Sequence, residues 1–269
     1  MPFNPDRINI HELTIEEPEK QAEQTFDVEK DITKEDWEGI KKFLAKSRPK
    51  NYLGEFPSQA MEMKILDPSL DLKIGQTDLV GIRDNMEEHR QNNDWNMFSR
   101  RALQMKILDP SQDLNFDQIA TQGMRNMLDQ CRNKNWSIFS SIAMRMKIFN
   151  PSGDLNLDKM AWEGMRGELE VSRQNNNWQS FAFKAMNMKI LDPSQDLGLD
   201  KTAWEGMRNN LERLRQDNNW DSFPAQAMNM KILAAEKVEI TKNGLELTMP
   251  KKNESLASGV PPIPEIKKF

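Results

Sequence analysis

Ala185-Met186-Asn187-Met188-Lys189-Ile190-Leu191-Asp192-Pro193-Ser194 is the stretch on which the fold turns, because near copies of it recur along the chain. Its Met-Lys-Ile core begins at Met63, Met105, Met146, Met188 and Met230, at intervals of 42, 41, 42 and 42 residues. A fixed period of that length is the signature of stacked supersecondary units. Asp-Pro or Asn-Pro follows in four copies, at residues 67–68, 109–110, 150–151 and 192–193. Proline cannot extend a helical ladder and pushes the preceding residue out of the α region, so a helix ends there in each copy. Within that helix Phe223, Ala227 and Met230 share one face, while Met228 and Ile232 lie on the other side. A helix that is apolar on two sides is buried between neighbours.

The pattern continues upstream of each copy. Trp95, Trp136, Trp178 and Trp220 are each followed three residues later by Phe98, Phe139, Phe181 or Phe223, with Tyr52 and Phe56 as looser equivalents in the first copy. Before the tryptophans comes an asparagine-rich break, clearest as Asn175-Asn176-Asn177. Asparagine side chains compete with helical hydrogen bonds, so the break separates two helices. The third copy is one residue shorter in this loop, which accounts for its 41-residue interval. The earlier helix is clearest from Asp200 to Arg215, where Trp204, Met207, Leu211 and Leu214 follow 3-4-3 spacing and share a face. Trp162, Met165 and Leu169 repeat that face. Asp200, Asp158, Asp117 and Thr33 occupy its N-cap slot, with Gly75 as a weaker cap in the second copy.

Each unit is thus a helical hairpin that cannot bury both faces of its second helix alone, and stacking supplies the missing contacts. In length and layout the units resemble two-helix solenoid repeats of the HEAT or armadillo kind, over residues 31–233 and without a family-specific motif. That resemblance implies an extended scaffold that holds protein partners. After Leu233 the pattern changes: Val238-Glu239-Ile240-Thr241-Lys242 and Leu245-Glu246-Leu247-Thr248-Met249 flank Asn243-Gly244, a strong hairpin signal. A two-residue turn there sets Ile240 against Leu247 and Val238 against Met249. The predicted fold class is therefore all-α: an α-solenoid of about five two-helix repeats with a small C-terminal β-hairpin cap over residues 234–250, packed on the last unit. Residues 1–30 form an acidic arm, disordered or docked on the body, and residues 251–269 a mobile tail with polyproline character at Pro261-Pro262-Ile263-Pro264.

Charge narrows the function classes. The 269 residues carry a formal net charge of −5, and the arm alone holds eight acids against three bases, leaving 34 of each sign in the rest. A neutral body lacks the basic excess that neutralises phosphates, so nucleic acid is a disfavoured partner. No run approaches the ~20 apolar residues of a membrane span. One cysteine and a start without a basic n-region and apolar h-region lead to the expectation of a cytoplasmic protein.

The residues that invite chemistry fall into repeated slots. Eight residues past the repeated glycine stand Ser47, His89, Cys131, Ser172 and Leu214; a slot that accepts all five is a packing position, not a nucleophile. Asp192, Asp196 and Asp200 lack the alternating spacing of a calcium loop, and no phosphate-binding glycine loop or nucleophile elbow is present. No catalytic residue, cofactor or metal is expected. Nine of the 18 methionines sit in the recurring stretch, so they read as adaptable core filler. All seven tryptophans occupy two repeated slots, so they read as stacking contacts. Gly39, Gly81, Gly123, Gly164 and Gly206 share one slot inside the first helix, where glycine costs about 0.5–1 kcal/mol relative to alanine. That recurrence predicts a neighbouring helix passing too close for a side chain. Lys64, Lys106, Lys147, Lys189 and Lys231 lie near a helix C-terminus, where the macrodipole favours a cation.

What varies between units is where a partner would be recognised. Three, four and seven residues past the glycine lie Lys42, Phe43 and Lys46; Asp84, Asn85 and Glu88; Asn126, Met127 and Gln130; Gly167, Glu168 and Val171; and Asn209, Asn210 and Arg213. These positions are expected on the face opposite the apolar stripe. The sequence thus suggests a non-enzymatic scaffold or adaptor that binds a protein partner through this surface, with a single-stranded RNA-binding helical-repeat protein as the alternative.

Overall fold

The computed structural model of the chain describes residues 26–48, 54–112, 114, 116–241 and 244–250. Its long helices come in pairs: α2 (Lys34–Ser47) with α3 (Phe56–Leu66), α4 (Gln76–Gln91) with α5 (Trp95–Leu108), α6 (Gln118–Cys131) with α7 (Trp136–Phe149), α8 (Lys159–Gln174) with α9 (Trp178–Leu191), and α10 (Lys201–Gln216) with α11 (Phe223–Ala234). A single turn, α1 (Val28–Asp31), precedes them, and strands β1 (Lys237–Thr241) and β2 (Gly244–Thr248) follow. The helical-repeat architecture and the terminal hairpin are those the sequence predicts.

Local chemistry sets the element boundaries. Asp117, Asp158 and Asp200 each accept a backbone N–H three residues on, at 2.9 Å, and Thr33 with Asp36 forms a full capping box. Asp94, Asn135 and Asn177 cap the second helices in the same way, while α3 and α11 carry proline in the first turn instead. Asn93, Asn133, Asn176 and Asn218 turn the chain between paired helices with φ of 52–66°, a left-handed conformation that asparagine tolerates better than most residues. The residue missing from the third copy comes out of the helix and not the loop: α6 has 14 residues where α4 and α8 have 16, while its connection has four residues where theirs have three.

The second helices pack in succession, α3 on α5, α5 on α7, α7 on α9 and α9 on α11, and α11 then packs on α3. The stack closes on itself. The five second helices form an inner ring, and from the third unit onward each first helix seats outside, between its own partner and the second helix of the preceding unit. Every seam of the ring carries the same Arg–Asp pair, and four of them a tryptophan laid against a glycine. Arg48 pairs with Asp78, Arg90 with Asp117, Arg132 with Asp158 and Arg173 with Asp200; Arg215 completes the circle by pairing with Asp36 at 2.8 Å. The indoles of Trp95, Trp136 and Trp178 lie against Gly123, Gly164 and Gly206 of the following unit, and Trp220 lies against Gly39. A methyl group at any of these glycines would enter the indole ring. The close neighbour is thus a tryptophan side chain and not the passing helix that the sequence suggested. Across the closing seam Lys231 also donates to the carbonyls of Ile65 and Leu66, at 2.9 and 2.8 Å.

The core lies between the inner and outer helices, with Phe56, Phe98, Phe139, Phe181 and Phe223 at no more than 1% exposure. At the C-terminal end of the inner helices the strands pair antiparallel, Val238 opposite Leu247 and Ile240 opposite Leu245. This register differs by two residues from the predicted one, because Gly244 pairs with Thr241 as a strand residue. A shift of two keeps the same side chains on the same face. Val238, Ile240, Leu245, Leu247 and Met249 pack on the main core, and β2 reaches across to α5, so the hairpin covers more than the last unit. Phe26, at the end of the predicted arm, is 1% exposed in the core. Residues 1–25 of the arm, Tyr52 and the tail lie outside the described residues.

Candidate functional site

The structure divides the predicted partner face. Lys42, Asp84, Asn126 and Asn209, three past the glycine, are exposed, as are Lys46, Glu88, Gln130, Val171 and Arg213, seven past it. The slot four past the glycine turns inward. Asn85 is 5% exposed and accepts from Arg101 Nε at 2.8 Å; Glu168 is half-buried and pairs with Lys184 at 2.8 Å; Phe43, Met127 and Asn210 are half-buried. The reason is angular. At about 100° per residue, the third and seventh positions lie roughly 140–180° from the centre of the apolar stripe, whereas the fourth lies only about 80° away. Phe43, Asn85, Met127, Glu168 and Asn210 therefore flank the interface with the paired helix.

A second site lies on the ring axis. The residue before each Met-Lys-Ile methionine faces inward and is polar in all five units: Glu62, Gln104, Arg145, Asn187 and Asn229, each less than 9% exposed. These side chains build a ladder between successive inner helices. Gln104 donates to Ser58 at 2.8 Å, Asn187 to Ser141 at 3.2 Å and Arg145 to Ser99 at 2.7 Å. Ser58 and Ser141 occupy one slot, five residues before the methionine, and in the other units that slot holds Arg100, Phe183 and Ala225. Neither Phe183 nor Ala225 offers a polar group, and the residues that would reach them, Asn229 and Glu62, each keep a buried oxygen without a hydrogen-bond partner.

The ladder opens into a cavity of about 340 Å³ at the N-terminal end of the inner helices. Its walls come from α3 (Ser58, Gln59, Glu62), α5 (Met97, Arg100, Arg101), α9 (Gln179) and the start of α11 (Asp221, Ser222, Ala225). The lining thus includes helices that are not neighbours in the ring, which places the cavity inside it. Glu55, Arg100 and Gln179 are exposed at its rim. One wall is basic and the other acidic. Arg100 donates to Ser58 Oγ at 2.9 Å, and Gln59 holds Asp221 at 2.7 Å. Burial pushes the Glu62 carboxyl up to about 8; Arg100 draws it down and Asp221 pushes it further up. Burial, aided by Arg100, brings the Arg101 and Arg145 guanidinium groups down to about 10.

The remaining candidates are accounted for within the scaffold. Burial raises the thiol of Cys131, the opposite of what a reactive thiolate needs. His89 Nδ1 lies 3.3 Å from Asp94, which caps α5. Asp192 accepts from Ser194 and Gln195, Asp196 from Gly198 N, and Asp200 caps α10 and pairs with Arg173. Lys64 and Lys147 donate to carbonyls just beyond their own helices, and Lys189 and Lys231 to carbonyls in the last turns of α11 and α3. Among the described residues no three His, Cys, Asp or Glu side chains are grouped to hold a metal, and no helix is long and apolar enough to cross a membrane. The axial slot lies on the second helix, outside the variable first-helix positions from which the partner face is read. The signal was present: one polar residue inside an otherwise apolar stretch, different in nearly every unit. No protein-family model matches this chain, and no curated protein or solved structure shows similarity to it.

Proposed function

We propose that the protein is a non-enzymatic binding module of the cytoplasm, a closed ring whose outer helices hold a protein partner. The observation that carries this reading is the division of labour among side chains. The residues that recur along the repeats are engaged inside the ring: the Arg–Asp pair of each seam, the glycine–tryptophan contact of four of them, and the methionines of the core. The exposed position seven past the glycine differs in every unit, and the one three past it repeats only as Asn126 and Asn209, giving a rigid frame with a unit-specific surface. Closure adds preorganisation, because a ring cannot flex along its length as an open stack can, and a surface fixed in advance loses less entropy on binding.

The test is affinity purification of the full chain beside a variant carrying Asp84→Lys, Glu88→Lys and Arg213→Glu. One protein recovered in fixed ratio with the parent and lost with the folded variant is the expected result. Recovery of the same protein with both would remove the outer face from the interface. Micromolar binding of single-stranded RNA in an anisotropy assay at physiological salt would overturn the reading in favour of a nucleic-acid module.

A further inference from the structure

The axial cup holds a group that the fold itself leaves unsatisfied. In the two seams where serine stands in the fifth slot before the methionine, its hydroxyl accepts from the facing amide, Gln104 or Asn187. At the closing seam the slot holds Ala225, so Glu62 sits 8% exposed in the wall of the cavity with Oε2 lacking a partner. Asp221 also lines the cavity, and Arg100, exposed on the α5 side, donates to Ser58 Oγ one turn along α3 from Glu62 and draws on its charge. A buried carboxylate without a donor is costly unless a cation or donor completes it. The opposed charges select a molecule with a cationic and an anionic end, and about 340 Å³ is at the small end of ligand pockets.

We propose that the axial cup binds a small zwitterionic amine of the basic amino-acid type, its cationic side chain paired with Glu62 and Asp221 and its carboxylate with Arg100. The cationic end enters first, because Glu62 is the buried member and Arg100 sits at the rim. The N-terminal ends of the inner helices surround the mouth and favour the carboxylate there. Glu55 at the rim is placed for the α-ammonium group. This site is independent of the outer face and stands whether or not a protein partner is held there.

Binding has a protonic signature. With its carboxyl raised to about 8, Glu62 is mostly protonated at pH 7 in the empty cup and must ionise to pair with a cation. Each binding event at pH 7 therefore releases close to one proton, and affinity rises by tens of fold between pH 6 and pH 8.

The experiment is isothermal titration calorimetry with L-arginine and L-lysine, run in two buffers of different ionisation enthalpy. L-Citrulline, which lacks the cationic side chain, and agmatine, which lacks the carboxylate, are the comparisons. The expected result is one saturable site for L-arginine or L-lysine with proton release, at least tenfold weaker binding of agmatine, and none of citrulline. Glu62→Gln should abolish binding by a chain that still unfolds cooperatively. Ala225→Ser supplies the hydroxyl that stands in this slot at two other seams, so it should donate to Glu62 internally and weaken binding several-fold. Saturable binding of neither amino acid would overturn the proposal. So would binding that Glu62→Gln leaves unchanged, or binding without proton release.

Discussion

At the scale of single residues, two positions show how a repeat-wide rule and its local breach lead to opposite predictions. Gly206 meets the indole of Trp178, so Gly206→Ala forces the ring to shift, and overpacking of that kind costs typically about 1–3 kcal/mol. Gly167, in the neighbouring first helix, has nothing within 4 Å of where a methyl would stand. Gly167→Ala should therefore stabilise by about 0.5–1 kcal/mol through helix propensity alone. Denaturant titration of the two variants checks both signs. Glu62 is the breach. Its carboxyl is raised from 4.5 to about 8, so ionisation opposes folding: the contribution is most favourable below about pH 4.5 and is lost as pH rises towards 8. At pH 7 the unfolded chain has released a proton that the folded chain retains, a cost on the order of 3 kcal/mol. Glu62→Gln should thus raise stability at pH 7 by up to roughly that amount and leave it nearly unchanged at pH 4. A pH series of urea midpoints is the measurement.

At the scale of elements, nearly every helix was legible and the contacts between helices were not. Period-3.6 spacing, Asp caps and Asp-Pro stops are local signals, so α4 to α11 fall where those signals stand. The glycine recurrence was also read as a tight contact, but what fills the space comes from the preceding unit about 28 residues back, and no local pattern names it. The inward turn of Asn85 and Glu168 was missed for a similar reason: a helical wheel divides residues into two faces, whereas an outer helix seated between two inner ones buries its flanks as well. The hairpin shows the limit of turn chemistry. Asn243-Gly244 announces it, but the register follows the apolar face that must meet the core, which two alignments satisfy equally. Because Ile240 and Leu245 pair directly and both pack on the main core, the double change Ile240→Ser, Leu245→Ser should lower stability by about 1–3 kcal/mol. Equilibrium denaturation decides it; an unaltered midpoint would mean that the strands ride on the ring without supporting it.

At the scale of the molecule, closure was written in the sequence at the two ends of the repeat array. Terminal units of an open stack are atypical, since one side of each faces solvent. Here the last unit keeps its seam tryptophan, Trp220, and its seam arginine, Arg215, with no unit after it to receive them, and the first unit keeps Gly39 and Asp36 with none before it. Those four residues have a use only if the ends meet, and in the structure they do. The consequence is measurable. In an open stack Trp220 would sit at a free end, and Trp220→Ala would cost little; Trp178→Ala, at an internal seam, would cost the ~3–5 kcal/mol of a large aromatic removed from a packed site. In a ring the two seams are equivalent: each tryptophan is half-buried and stacks edge-on against its own phenylalanine at a centroid distance of 5.6 Å. The two variants should therefore be destabilised to within about 1 kcal/mol of each other, and each should unfold in a single transition, because opening any seam exposes the polar ladder and the core beside it. Urea denaturation followed by circular dichroism tests both points. A near-neutral Trp220→Ala beside a costly Trp178→Ala would mean that the chain ends part in solution, and the axial cup, one wall of which is built across that same seam by Glu62 and Asp221, would open with them.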